Sequence, residues 1–203
     1  MTMPSHRDGR VAGVVLAAGS SSRLGRNKLL LDIGGEPVVR RVARGALEAG
    51  LSPVVVVLGF EAGRVSEALG AIEVERAVNP DYARGIHRSL EVGIRRVPAD
   101  CDAAVVLLAD MPLVTAAMSA ALVARFRAGP EAIVVSRYGE VQAPPTLYSR
   151  ALFPALLASG EGGGRSVVRD HGDRVAAVVW PAGRLADLDR AEDVDRVRSL
   201  VPD

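Results

Sequence analysis

Leu16–Lys28 reads LAAGSSSRLGRNK and follows directly on Val11–Val15, an apolar run rich in β-forming valine. A strand running straight into alanine, glycine and serine lets backbone N–H groups approach a bound phosphate, because no large side chain stands in the way. Arg23 and Lys28 place positive charge at two points of the same loop. The stretch therefore reads as a triphosphate cradle at the end of a strand. Neither of the two commonest nucleotide motifs fits it. A P-loop needs Gly-Lys-Ser/Thr, whose hydroxyl holds magnesium, but Lys28 lies between Asn27 and Leu29. The dinucleotide fingerprint needs three glycines, and only Gly19 and Gly25 are present. Simple ATPase and NAD readings both lose ground.

Working outward, unbroken apolar runs recur at Val11–Leu16, Val54–Leu58, Ala103–Ala109 and Ile133–Val135, as expected of parallel strands covered on both faces. Helical segments separate them. Pro37 stands at a first helical position, with Val38, Val42, Ala46 and Ala49 on one side and Gly50 as the stop. Further helices are predicted over Gly63–Leu69, Ile86–Val97, Thr115–Ala128 and Ala191–Leu200. This order predicts an α/β fold, a doubly wound, mostly parallel sheet with helices on both faces, and places the ligand at the carboxyl ends of the strands. GEGGGR, Gly160–Arg165, reads as a flexible loop.

At 203 residues and 49% hydrophobic, the chain has room for one sizeable core. Residues 1–203 are expected to form a single domain, with a disordered N-terminus over residues 1–9. Twenty-five Lys and Arg against 24 Asp and Glu leave a net charge of +1, so no global field attracts nucleic acid or an anionic membrane. Phosphate binding must come from local charge. The lone cysteine, Cys101, excludes an internal disulfide and suggests a reducing compartment. It is expected to be a surface or half-buried thiol. With no apolar leader and no membrane-length apolar run, a cytoplasmic location is expected.

Asp110, in LLADMPLV, stands one step past the buried run Ala103–Ala109 and therefore beside the Gly19 loop. Mg²⁺ takes one or two carboxylates plus phosphate oxygens and water, so one aspartate here suffices to anchor it. The alternative is a cap for the helix starting near Thr115. Asp187 and Asp189 alternate as on a strand end and form a second acidic group, with capping of the last helix as the other reading.

The cradle stretch resembles the signature loop of the MobA-like nucleotidyltransferases, L-A-A/G-G-x-S-x-R-x-G-x-x-K, and matches it at Leu16, Ala17, Ala18, Gly19, Ser21, Arg23, Gly25 and Lys28. The resemblance implies a Rossmann-like nucleotidyltransferase fold and nucleotide contacts from this loop, Ser20 included, and from Leu108. It continues in NPDYARGIHRSL, Asn79–Leu90, where Asn79, Gly85 and Ser89 would recognise the base and Ile86 replaces the usual methionine. His87 falls at a variable position and reads as an exposed or capping histidine; Tyr82 is either a stacking or a rim residue. QAPPTLY and GEGGGR resemble the acceptor side of the molybdenum cofactor cytidylyltransferase group, giving Pro144, Pro145, Gly163, Gly164 and Arg165 as acceptor-binding residues. In the resembling family this stretch supplies the second metal contact or a partner to it, a role read here for Asp189 with Asp187 as the alternative.

In the implied reaction the acceptor's phosphate attacks the α-phosphorus of CTP, with Mg²⁺ or Mn²⁺ as cofactor and Arg23, Lys28 and Asp110 as the catalytic set. The acceptor would be molybdopterin carrying molybdenum, and a recipient molybdoenzyme or its chaperone the downstream partner. Alanine at position 18, where guanylyl-transferring relatives tend to have glycine, and Pro144-Pro145 lean toward cytosine. Transfer of another nucleotide, transfer to a sugar or polyol phosphate, an NAD-type oxidoreductase and a non-catalytic carrier are the alternatives. Lys28 and Arg23 are expected at solvent-accessible loop positions.

Overall fold

The computed structural model describes residues 9–20, 26–186, 188 and 191–201. Its strands are β1 (Arg10–Ala17), β2 (Val54–Leu58), β3 (Glu75–Val78), β4 (Cys101–Leu108), β5 (Ile133–Tyr138), β6 (Val141–Ser149) and β7 (Val175–Trp180). The helices are α1 (Val38–Glu48), α2 (Ala62–Leu69), α3 (Ile86–Arg95), α4 (Ala116–Ala128), α5 (Phe153–Ala158), α6 (Gly163–Asp170) and α7 (Ala191–Leu200). One sheet runs β3-β2-β1-β4-β6-β5-β7. Pairing is parallel throughout except on the two sides of β6, which runs antiparallel to both β4 and β5. The expected mostly parallel α/β sheet is therefore the fold. The chain winds from β1 outward to β3 and then crosses back to β4, so the crevice of a reversing strand order lies between the ends of β1 and β4.

The apolar runs become central strands because both faces of each are buried. Along β1, Val11, Val15 and Ala17 enter one core cluster while Ala12, Val14 and Leu16 enter the other. The first cluster takes in α1, α2 and α4, the second α3, α5 and α6. Each fully buried valine contributes about 1.5–3 kcal/mol of transfer free energy, which is why alternation with polar residues is missing here. A third cluster joins Leu31, Ile33 and Val38 to Val194 and Val197 of α7. Pro37 is the residue before the first helical turn, and Gly50 follows α1 at φ +76°.

Several expectations are corrected. Gln142–Tyr148, which holds Pro144 and Pro145, is most of β6, and Gly163–Arg165 form the first turn of α6 rather than a flexible loop. Cys101 is buried at the start of β4, its Sγ 3.8 Å from the Ser52 carbonyl, and burial raises its pKa. Residues 1–8 lie outside the described residues, whereas Gly9 donates its N–H to Asp102 at 2.9 Å. Among the described residues no helix is long and apolar enough to cross a membrane.

One close approach fixes how α3 sits on the sheet. A Cβ at Gly93 would lie 2.3 Å from Cγ1 of Val14 and 3.1 Å from Cγ2 of Val57. Alanine improves an exposed helix interior by roughly 0.5–1 kcal/mol over glycine, but overpacking a core costs about 1–3 kcal/mol. The clash therefore wins, and Gly93→Ala should lower stability by about 1–2 kcal/mol in urea unfolding. A midpoint raised by the substitution would show that α3 does not seat against β1 as described.

Candidate active site

The register of the two central strands builds the site. Leu16 pairs with Leu108, and the N–H of Ala109 donates to the carbonyl of Leu16 at 3.1 Å. Residues leaving β1 and residues leaving β4 are thereby held side by side. Asp110 follows two positions after β4 ends, and its carboxylate meets Lys28 Nζ at 2.6 Å. Lys28 starts a short 3₁₀ turn capped by Asn27, whose side-chain oxygen accepts from the N–H of Leu29. Asp110 is not the cap of α4, since Thr115 fills that role through Oγ1 to the N–H of Met118. The Asp110 carbonyl accepts from the N–H of Leu188 at 3.2 Å, which ties Leu188 to the end of β4. Asp187 and Asp189 themselves lie outside the described residues, as do Ser21, Arg23 and Gly25.

A cleft of about 160 Å³ opens above these strand ends, walled by Leu16, Ala18, Gly19, Lys28, Leu29, Tyr82, Ile86, Ser89, Leu108 and Asp110. Ala17 is buried beneath it, and Ser20 is exposed beyond Gly19. Asn79 does not reach the wall. Its amide nitrogen donates to Ser89 Oγ at 3.0 Å and its oxygen accepts from the N–H of Asp81, so it braces the serine that does line the cleft. Gly85 takes φ +116°, a conformation barred to ordinary side chains, and from it α3 starts with no side-chain cap. Its first turn therefore presents the N–H groups of Ile86 and His87 and the positive end of the helix dipole beside the cleft wall, while the N–H of Arg88 donates to the Gly85 carbonyl at 3.2 Å. Tyr82 stands at the rim, its ring 6.4 Å from that of Phe60.

A second cavity of about 290 Å³ adjoins the first and shares Leu16, Ile86 and Leu108 with it. Pro144, Thr146 and Tyr148 of β6 face it at the period of two that a strand imposes, and Pro145 is buried away from that wall. Gly163, Gly164 and Arg165 face it from α6. The Tyr148 hydroxyl donates to the carbonyl of Gly164 at 3.2 Å, and burial pushes the phenol pKa well up, so it stays protonated as a strut between β6 and α6. Of the residues expected to bind nucleotide, Leu16, Ala18, Gly19, Lys28, Ser89 and Leu108 line the first cavity, and of those expected to bind acceptor, Pro144, Gly163, Gly164 and Arg165 line the second. Sequence reasoning missed His87, which is buried on the second cavity's wall. Its spacing was the available signal, because His87, Leu90 and Ile94 fall on one helical stripe.

Residues 13–197 match the family model for the MobA-like NTP transferase domain. The chain belongs to that family. It is 33% identical to the purine catabolism protein PucB of Bacillus subtilis over 199 residues, 92% of this chain and 95% of that one. A probable molybdenum cofactor guanylyltransferase of Opitutus terrae is 30% identical over 199 residues, 93% and 95% of the two chains. The crystal structure of Rv0371c from Mycobacterium tuberculosis H37Rv superposes with a TM-score of 0.85 at 29% identity, covering 94% of this chain and 98% of that one. The same protein in complex with manganese gives a TM-score of 0.76 at 28% identity over 95% of this chain and 100% of that one. The protein is accordingly a nucleotidyltransferase of the MobA-like family, and the dehydrogenase and carrier readings are set aside.

The expectation that Lys28 is solvent-accessible is corrected, since its side chain is 12% exposed and that of Asp110 21%. At that burial, removing one partner leaves the other charge poorly solvated. Lys28→Met and Asp110→Asn should each cost about 1–2 kcal/mol in urea unfolding, and the double variant should lose less than the sum. Strictly additive losses would mean that the two side chains do not interact in solution.

Proposed function

We propose that this protein transfers CMP from CTP to the terminal phosphate of molybdopterin, releasing pyrophosphate, as a cytoplasmic enzyme whose product passes to a molybdoenzyme or its chaperone. The observation that carries the reading is the junction of two cavities at the ends of β1 and β4, with Lys28 and Asp110 on one side and the β6–α6 wall on the other. An acceptor phosphate oxygen forms the new bond to the α-phosphorus as the α–β phosphoanhydride bond breaks, and the electron pair leaves with pyrophosphate. The nucleophile belongs to the acceptor, so no serine or cysteine is required of the protein.

Lys28, with Arg23 from the same loop, offsets charge on the α-phosphoryl and the departing pyrophosphate. The first turn of α3 adds oriented N–H groups at the junction. The residues fit a divalent cation of the Mg²⁺ or Mn²⁺ kind. Asp110 supplies a hard carboxylate oxygen that already holds a cationic nitrogen at 2.6 Å, and among the described residues no cluster of three ligating side chains forms a dedicated cage. Asp110, with help from Asp189, would hold such an ion, which would supply positive charge against the phosphates. The manganese complex of Rv0371c supports a metal in this class. Ala18 on the cleft wall and the Pro144-Pro145 pair support cytosine; the Opitutus terrae relative, named a guanylyltransferase, makes guanylyl transfer the reading to test against it.

Calorimetric titration with CTP, GTP, ATP and UTP in the presence of Mn²⁺ should show CTP binding tightest, with binding weakened when the metal is chelated. Equal affinities would remove the base assignment and leave the family assignment intact. Asp110→Asn should abolish metal-dependent pyrophosphate release with molybdopterin as acceptor, and Lys28→Ala should slow it on the order of 100-fold. Near-normal release from the Asp110 variant would overturn the mechanism.

A further inference from the structure

His87 is the one titratable side chain on the helical stripe of α3 that faces the second cavity. It is 9% exposed, yet its ring nitrogens make no hydrogen bond to any described residue. Its position is tightly constrained. A Cβ on Gly85 would lie 2.9 Å from Nδ1, so the ring packs over a residue that lacks a side chain. The neighbouring wall is apolar, with Leu90, Val106 and Val168. A buried imidazole kept for packing alone would carry a desolvation cost with no return, and buried polar groups are as a rule partnered. The His87 ring faces the open cavity, so solvent or a ligand held there supplies the partner. The other charged groups at this wall, Glu161 and Arg165, stand exposed at its rim from the α6 side, and Tyr148 is already committed to Gly164.

Resting on the acceptor assignment proposed above, we infer that His87 selects the acceptor, hydrogen-bonding the polar edge of a flat heterocycle whose face lies on the Leu90–Val106–Val168 wall. The ring supplies one donor or acceptor beside the apolar patch of Leu90, Val106 and Val168, with Gln142, Thr146, Glu161 and Arg165 as the other polar lining, the arrangement by which a small-molecule pocket fixes orientation. Its role is discrimination between acceptors. It takes no part in the phosphates' chemistry, which the proposed mechanism gives to Arg23, Lys28 and Asp110; of these, Lys28 and Asp110 line the first cavity, which His87 does not.

Three variants separate this from a packing role: His87→Phe keeps the ring without the nitrogens, His87→Gln keeps hydrogen bonding without the ring, and His87→Ala removes both. Pterin-6-carboxylate, followed by its own fluorescence, serves as the probe of the second cavity, and CTP binding by calorimetry serves as the control. The expected result is pterin binding weakened about tenfold in the Phe and Ala variants, as for loss of one hydrogen bond. His87→Gln should stay close to wild type, and CTP affinity should be unchanged in all three. Addition of the probe to wild type should also shift the ¹⁵N resonances of one histidine ring, the one lost in His87→Phe. Wild-type affinity in His87→Phe, or an unmoved His87 resonance on saturation, would overturn the role of His87 while leaving the acceptor assignment standing. CTP binding without any pterin binding to wild type would instead overturn the acceptor assignment, and the selection role with it.

Discussion

The pairing of β1 with β4 is the constraint on which the rest of the site depends. Because Leu16 faces Leu108 in a parallel ladder, the chain emerges from both strands at the same level of the sheet. Parallel strands need crossovers, so the two segments that meet here are far apart in sequence and are aligned only by the ladder. One step of register slip would turn Leu16 and Leu108 from the wall they share into the opposite core and carry Asp110 away from Lys28. Core packing of the valines on either side of β1 is therefore also what sets the distance between a lysine and an aspartate more than eighty residues apart. Stability and catalytic geometry rest here on the same interaction.

The strands legible in the sequence are those whose composition has a single cause. β1, β2 and β4 are buried on both faces, and burial alone produces their unbroken apolar runs. β3 and β7 lie at the two edges of the sheet, where one side is open and the residues are mixed, so no periodic pattern marks them. β6 was hidden for a different reason. Pro144 and Pro145 lack N–H donors, which speaks against an inner strand, yet they sit where the ladder does not need them. The register with β5 passes from Val135–Thr146 to Ser136–Ala143, and pairing with β4 stops at Val106–Thr146. Both prolines fall inside that irregularity, a position in which a strand tolerates proline. The Tyr138 hydroxyl satisfies the carbonyl of Pro144 at 2.8 Å.

The site was legible where residue chemistry and position agreed. Asp110 was found from the rule that ligands meet the carboxyl ends of strands, and the structure sets it beside Lys28. The partnership of these two was not legible, because it needs the fold of the 3₁₀ turn at Lys28 as well as the strand register. Asn79 and Ser89 were read as equivalent contacts, but a hydrogen bond between them makes one the support of the other. His87 escaped because a lone histidine carries no periodic signal of its own; only its place on the stripe with Leu90 and Ile94 marks it, and burial could be inferred from that stripe but not the cavity beyond it.

The two cavities meet along a partition of Leu16, Leu108 and Ile86, and this apolar boundary is where a phosphoryl group must pass if the proposed transfer occurs. Reacting atoms need to approach to about 3–3.5 Å, so the acceptor phosphate has to lie at that seam, not deep in either cavity. Leu16 and Leu108 come from the rigid centre of the sheet, whereas Ile86 is 57% exposed at the start of α3. A ligand covering Ile86 would exclude water at the seam and strengthen every charge interaction near it, Lys28 and the α3 amides included. The division of labour follows from topology. In the proposed reaction phosphate handling would fall to the paired central strands, which cannot change without disturbing the core, and acceptor recognition to β6, α3 and α6, whose walls can change residue by residue.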